Sequence, residues 1–177
     1  MILEKLVILA AIFVSYFLQT SADFFRLWEI KPDFLLILTV YFALYKGRFA
    51  GIWVGFIGAL LQDINLGGVA SESSDTIKYY LGTYSISKPI LGYLAARVAP
   101  NINKDGTLVI MVLIFALSLI GELMTFTVVG VFHGNIAAQA IVRKVIPVSF
   151  YNALISILWF RLLRWALPVE RTSDRRL

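Results

Sequence analysis

The sequence predicts an all-α integral membrane protein with six transmembrane helices. Of its 177 residues, 59% are hydrophobic and only 15% are charged, and mean hydropathy is +0.81. A soluble domain lies nearer about 45–50% apolar and about 25% charged, so this chain has too little polar surface to hold its apolar side chains out of water. The apolar residues gather in six runs, and the charged residues lie between those runs instead of on one soluble face. Lipid as solvent accounts for all three observations.

A helix needs about 20 mostly apolar residues to cross a hydrocarbon core about 30 Å thick. The first run, Ile2–Gln19, opens on Glu4 and Lys5 and continues apolar to Leu18. A cleaved signal peptide carries a stronger positive start and a small-x-small cleavage site. Here Gln19, Thr20, Ser21 and Ala22 lead into more bulky apolar sequence, so a retained first span is expected. Pro32–Tyr45 and Phe49–Gln62 are short and flank Lys46-Gly47-Arg48. That length fits a re-entrant hairpin or two spans. Two spans is the favoured reading, because Lys and Arg snorkel and Asp33 and Asp63 can sit at the interfaces. Tyr79–Val98, Thr107–Phe132 and Val145–Leu167 complete the set. One transmembrane domain, 1–167, is thus followed by a short basic cytoplasmic tail, 168–177, suited to anionic lipid headgroups.

Basic residues set the orientation. With the N-terminus inside, the inner segments hold Lys5, Lys46, Arg48, Arg97 and Lys104, then Arg161, Arg164, Arg171, Arg175 and Arg176. The outer segments hold Arg26, Lys31, Lys78, Arg143 and Lys144. This two-to-one bias places both ends in the cytoplasm. The basic pair Arg143–Lys144 is the segment that fits least well. The Gly- and Ser-rich stretch Asn65–Lys78, with Glu72 and Asp75, reads as a water-facing connection. Trp28, Tyr79, Tyr80 and Trp165 suit interfacial belts, and the lone His133 suits an outer loop near the headgroups.

The composition also excludes functions. No cysteine and one histidine rule out disulfides, thiol chemistry, and thiolate or multi-histidine metal sites. There is no P-loop, GxSxG, HExxH or Ser-His-Asp set. No enzyme activity, cofactor or metal is therefore expected. The net charge of +5 is not concentrated on a patch, so nucleic-acid binding is not expected either.

Two groups of residues are candidates for function. In the third run Gly47, Gly51, Gly55 and Ala59 recur every four residues, with Asp63 next on that face and Gly58 beside it. Small residues at this spacing let helices approach closely in lipid. The partner is either a neighbouring span or a transmembrane helix of another protein. The second group is polar: Asp33, Lys88, Glu122 and Asn152. A charge at the bilayer centre costs at least about 2.5–3.5 kcal/mol, so Lys88 and Glu122 must face the interior and find partners. A structural Lys88–Glu122 pair is the favoured expectation, with proton relay or transport the sharper alternative. Glu122 shares a stripe with Ser118 and Thr125. Ser149, Asn152 and Ser156 share one face of the last run and read as polar links between helices.

Four stretches, in order, resemble the rod shape-determining protein MreD family. They are Pro32-Asp33 with the run Phe34–Leu44; the glycine-bearing Gly51–Gly58 stretch closing in Leu61-Gln62-Asp63 and Gly67-Gly68; Ser87-Lys88-Pro89 with Gly92-Tyr93-Leu94-Ala95; and Ile146-Pro147 with Tyr151-Asn152-Ala153-Leu154. They cover residues 32 to 164, and each alone is ordinary membrane-helix vocabulary. The loop Val69–Lys78 is longer than the family pattern leads one to expect. The resemblance implies a non-enzymatic inner-membrane scaffold of the rod (elongation) complex, which directs lateral peptidoglycan synthesis and cell shape. It implies MreC as direct partner, with MreB, RodA and a penicillin-binding transpeptidase as further members. It also implies a six-helix architecture like that of the substrate-binding subunits of energy-coupling-factor transporters. On that basis the small-residue ridge, or a groove beside it, is expected to receive the MreC helix. The rival reading is a small-molecule-binding transporter subunit, with a pocket lined by Trp53, Lys88 and Glu122 and a faint docking face at Ala10, Ala11 and Ser15.

Overall fold

The structure, a computed structural model, describes residues 2–21, 25–26, 30–66, 82–133 and 141–167. Among the described residues there are six α-helices: α1 (Ile2–Ser21), α2 (Phe34–Lys46), α3 (Arg48–Leu66), α4 (Thr83–Val98), α5 (Thr107–His133) and α6 (Ile146–Ala166). A 3₁₀ turn, Ala99–Asn101, follows α4, and a π-helical turn, Ile141–Val145, leads into α6. There is no strand among the described residues. Among the described residues, two stretches are long and apolar enough to cross a membrane, Thr107–Val128 and Arg143–Ala166. The connection 67–81, the aromatic residues Trp28, Tyr79 and Tyr80, and the tail 168–177 lie outside the described residues, as does the side chain of His133.

The shortest helix is the central one. α2 has 13 residues, and every residue from Phe34 to Leu44 is buried. At about 1.5 Å per residue it is only about 20 Å long, less than a hydrocarbon core. Its length need not match the lipid, because α1, α3, α4, α5 and α6 all pack against it. That is why its sequence is apolar on every side instead of along one stripe. Phe34, Tyr41 and Phe42 are its largest buried side chains, and the Tyr41 ring meets Phe160 of α6 edge-on at 5.4 Å.

α2 turns into α3 through one residue. Gly47 has φ +92°, a conformation that a side chain would strain. The reversal lays α3 along α2, and α4 then packs on both. Contact there is backbone on backbone. A Cβ added at Gly92 would lie 2.6 Å from the Gly51 carbonyl oxygen, and one at Gly55 would lie 2.9 Å from the Lys88 carbonyl oxygen. A Cβ on Gly51 would meet Ala43 Cβ at 2.6 Å. The small residues of α3 thus serve close approach inside this chain.

Side chains tie down the opposite end of α2. The Tyr41 hydroxyl donates to the carbonyls of Leu163 (3.3 Å) and Leu167 (3.0 Å) at the end of α6. Lys104 Nζ donates to the Leu44 carbonyl at 2.7 Å, and the Tyr45 hydroxyl donates to the Lys104 carbonyl at 3.1 Å. The Leu44 carbonyl lies in the last turn of α2, where no amide of that helix remains to reach it, while the Leu163 carbonyl also accepts the Leu167 amide at 2.7 Å.

Candidate functional site

The polar residues singled out in the sequence meet at the other end of α2. Asp33 is its N-cap, and Asp33 Oδ1 accepts the Leu36 amide at 2.9 Å. Asp33 itself stands outside the helical region, with φ −92° and ψ 83°, as a capping residue does. Lys88 reaches across from α4, and its Nζ lies 2.6 Å from both carboxylate oxygens of Asp33. Lys88 is 2% exposed and the Asp33 side chain 14%. The Asp33 amide donates to Asn152 Oδ1 at 2.7 Å, and Asn152 Nδ2 donates to Ser118 Oγ at 2.8 Å. A single line of contacts, Lys88–Asp33–Asn152–Ser118, therefore joins α4, α2, α6 and α5.

The expected Lys88–Glu122 pair is corrected by this geometry. The partner of Lys88 is Asp33, because the start of the central helix lies directly under the α4 side chain. Glu122 sits one turn beyond Ser118, half-buried, within electrostatic reach of Asp33, Lys144 and Lys88. Of the α6 stripe, only Asn152 crosses to other helices. Ser149 and Ser156 are fully buried but donate to carbonyls of their own turn, those of Val145 and Ala153.

Asp63 is a second buried carboxylate, 0% exposed, near the end of α3. It accepts the amides of Gly82 (3.0 Å), Tyr84 (2.9 Å) and Ser85 (3.0 Å), together with the Ser85 hydroxyl. These amides open α4, so Asp63 caps it from a neighbouring helix, where the helix dipole favours negative charge. The ridge Gly51, Gly55, Gly58, Ala59 and Asp63 is thus filled by α2 and α4 of this chain, and only Gly47 has open space. The expected role of that ridge as a docking face for another protein's helix is corrected accordingly. A partner would have to displace an internal helix. Trp53 lies on the opposite face of α3 and is 48% exposed, whereas Lys88 is buried.

Two concavities accompany these ties. A groove of about 490 Å³ runs along α6, lined by Phe25, Phe34, Leu158, Trp159, Leu162 and Trp165, with Arg161 and Ile155 beside them. Trp159 Nε1 is buried and has no hydrogen-bond partner among the described residues. A polar cavity of about 420 Å³ lies beside the Asp33 end of α2, and Asp33, Gln62 and Glu122 line it. Among the described residues, no cluster of three His, Asp or Glu could hold a metal ion.

The family model for the rod shape-determining protein MreD matches residues 1–166. The chain belongs to the MreD family. Membrane association and a cell-shape role with the rod-shape complex come with membership. Comparison with curated proteins and with solved structures gives no match. No structural relative supports the expected likeness to energy-coupling-factor subunits. In this MreD-family chain, the sequence singles out Asp33, Lys88 and Asn152 as interior polar groups, because charge and amide groups in apolar helices need partners, and it places Asp63 only on the small-residue face. Sequence reasoning misses Gln62, an ordinary amide in the sequence that only the cavity singles out.

Proposed function

We propose that this chain is a non-enzymatic membrane scaffold of the rod complex, polytopic with both ends in the cytoplasm. In this reading it holds the transmembrane helix of MreC and so couples that partner to lateral peptidoglycan synthesis. The observation that carries it is the use made of the interior polar groups. Lys88, Asp33, Asn152, Ser118 and Asp63 are all consumed in fastening helices to one another. Fully satisfied polar networks rigidify a bundle. A rigid bundle suits a platform for partners.

The small-residue ridge being internal, the α6 groove is the docking face we favour. It is concave, almost wholly apolar, and open along the outside of the bundle. Leu158 is 68% exposed, Leu162 48% and Trp165 82%. MreB, RodA and the transpeptidase would then be reached through MreC and the cytoplasmic ends.

Mild-detergent co-purification tests the reading. Wild-type chain should retain MreC, while Leu158→Trp with Leu162→Trp should fill the groove and reduce retention at least about tenfold, the loss expected for one lost hot spot. Membrane insertion and elution profile should stay unchanged. Full retention by the double variant would remove the groove from consideration. Failure of the wild type to retain MreC would defeat the scaffold reading.

A further inference from the structure

The polar cavity beside Asp33 is built by the whole bundle and has a graded lining. Every helix or its flank contributes: Gln19 and Thr20 from α1, Gln62 from α3, Tyr84 from α4, Glu122 from α5 and Val148 from α6, with Asp33 ahead of α2. At about 420 Å³ it is within the usual range for small-molecule sites. Gln62 and Glu122 bring acceptors to its lining. Gln62 is 7% exposed, and its Oε1 is buried with no hydrogen-bond partner among the described residues. Glu122 is half-buried and lines the same cavity. The groups around the mouth are cations: Arg26 and Lys144, both exposed, and the half-buried Lys31.

A buried amide oxygen without a donor is costly, so the site as it stands calls for a hydrogen-bond donor. Asp33 is already neutralised by Lys88. The acceptors that remain are the Glu122 carboxylate, within electrostatic reach of Lys144 and Lys88, and Gln62 Oε1, which has no hydrogen-bond partner among the described residues. A primary ammonium matches both, with three N–H donors and a positive charge. The cationic mouth then suits an anionic group a few bonds away.

We propose that this cavity binds an amino-phosphate zwitterion of the phosphoethanolamine type, its ammonium on Glu122 and Gln62 Oε1 and its phosphate among Arg26, Lys31 and Lys144. The same chemistry occurs on a free phosphoethanolamine-like molecule and on the headgroup of an amino-phospholipid. The site is independent of the α6 groove, so loss of MreC binding would leave it untouched.

Selectivity supplies the test. The full-length chain, delipidated in detergent, is titrated calorimetrically with phosphoethanolamine, phosphocholine and inorganic phosphate. Phosphoethanolamine should bind, with the other two at least about tenfold weaker, because a quaternary ammonium or a bare phosphate offers no N–H to the two acceptors. A second arm places the chain in nanodiscs of mixed phosphatidylethanolamine and phosphatidylcholine and reads retained lipid by native mass spectrometry. Enrichment of phosphatidylethanolamine there identifies a lipid headgroup; binding only in the first arm identifies a soluble zwitterion. Glu122→Gln and Gln62→Leu should each abolish the preference in whichever arm shows it. If either variant misfolds, the wild-type discrimination between phosphoethanolamine and phosphocholine decides alone. Equal binding of those two probes, or no binding and no lipid preference in either arm, overturns the proposal.

Discussion

At position 33 one carboxylate serves two elements. Both oxygens lie 2.6 Å from Lys88 Nζ, while Oδ1 also caps α2 through the Leu36 amide at 2.9 Å. Breaking a buried pair by deleting one partner costs about 3–5 kcal/mol, whereas removing both charges is often near neutral. Lys88→Met alone should therefore destabilise strongly. Adding Asp33→Asn should recover most of the loss, since asparagine keeps an oxygen for the cap. Thermal unfolding in detergent reads this directly. Lys88→Met with Glu122→Leu should show no such recovery, and recovery there instead would reverse the assignment of partners. That Lys88 needs a partner is legible in the sequence, because an unpaired charge in an apolar helix is untenable. Which partner it takes is not, since Asp33 lies 55 positions away and reaches Lys88 only because α2 stands at the centre.

The elements themselves were largely written in the hydropathy pattern, and six helices lie close to the six apolar runs. The pattern could not say how far each helix is surrounded. Pro32–Tyr45 is short enough to suggest a re-entrant hairpin, yet α2 is short because protein encloses it. Small-residue spacing likewise announced a close helix contact without saying whose. The contact is α3 against α4, with Thr39 and Ala43 of α2 filling the same seam. A Cβ on Gly92 would meet the Gly51 carbonyl oxygen at 2.6 Å, where both sides are backbone and neither can rotate away. Gly92→Ala should thus cost about 1–3 kcal/mol, the usual range for overpacking. Trp53→Ala, on the outward face of the same helix pair, should leave stability within about 0.5 kcal/mol. Equal unfolding temperatures for the two variants would mean that the α3–α4 seam is looser than its geometry.

For the molecule as a whole, each end of the bundle has its own fastening: Lys88, Asp33, Asn152 and Asp63 at one, Tyr41, Tyr45 and Lys104 at the other. The basic residues are unequally shared between these ends. Lys46, Arg48, Arg97, Lys104 and Arg164 gather at the Tyr41 end, the end we assign to the cytoplasm, while Arg26, Lys31 and Lys144 flank the Asp33 end. Arg143 and Lys144 oppose the rule, but Lys144 lines the polar cavity, which gives it a local reason to be there. The chain contains no cysteine, so single cysteines report their own exposure without background. Arg26→Cys should react with a membrane-impermeant maleimide in intact spheroplasts, and Lys46→Cys should react only after lysis. Both positions are exposed at the protein surface, so a difference between them measures the membrane and not burial. The opposite pattern would invert the assigned orientation. Labelling of both in intact cells would mean that the turn at Gly47 returns to the outer side, so that α2 and α3 dip into the bilayer without crossing it.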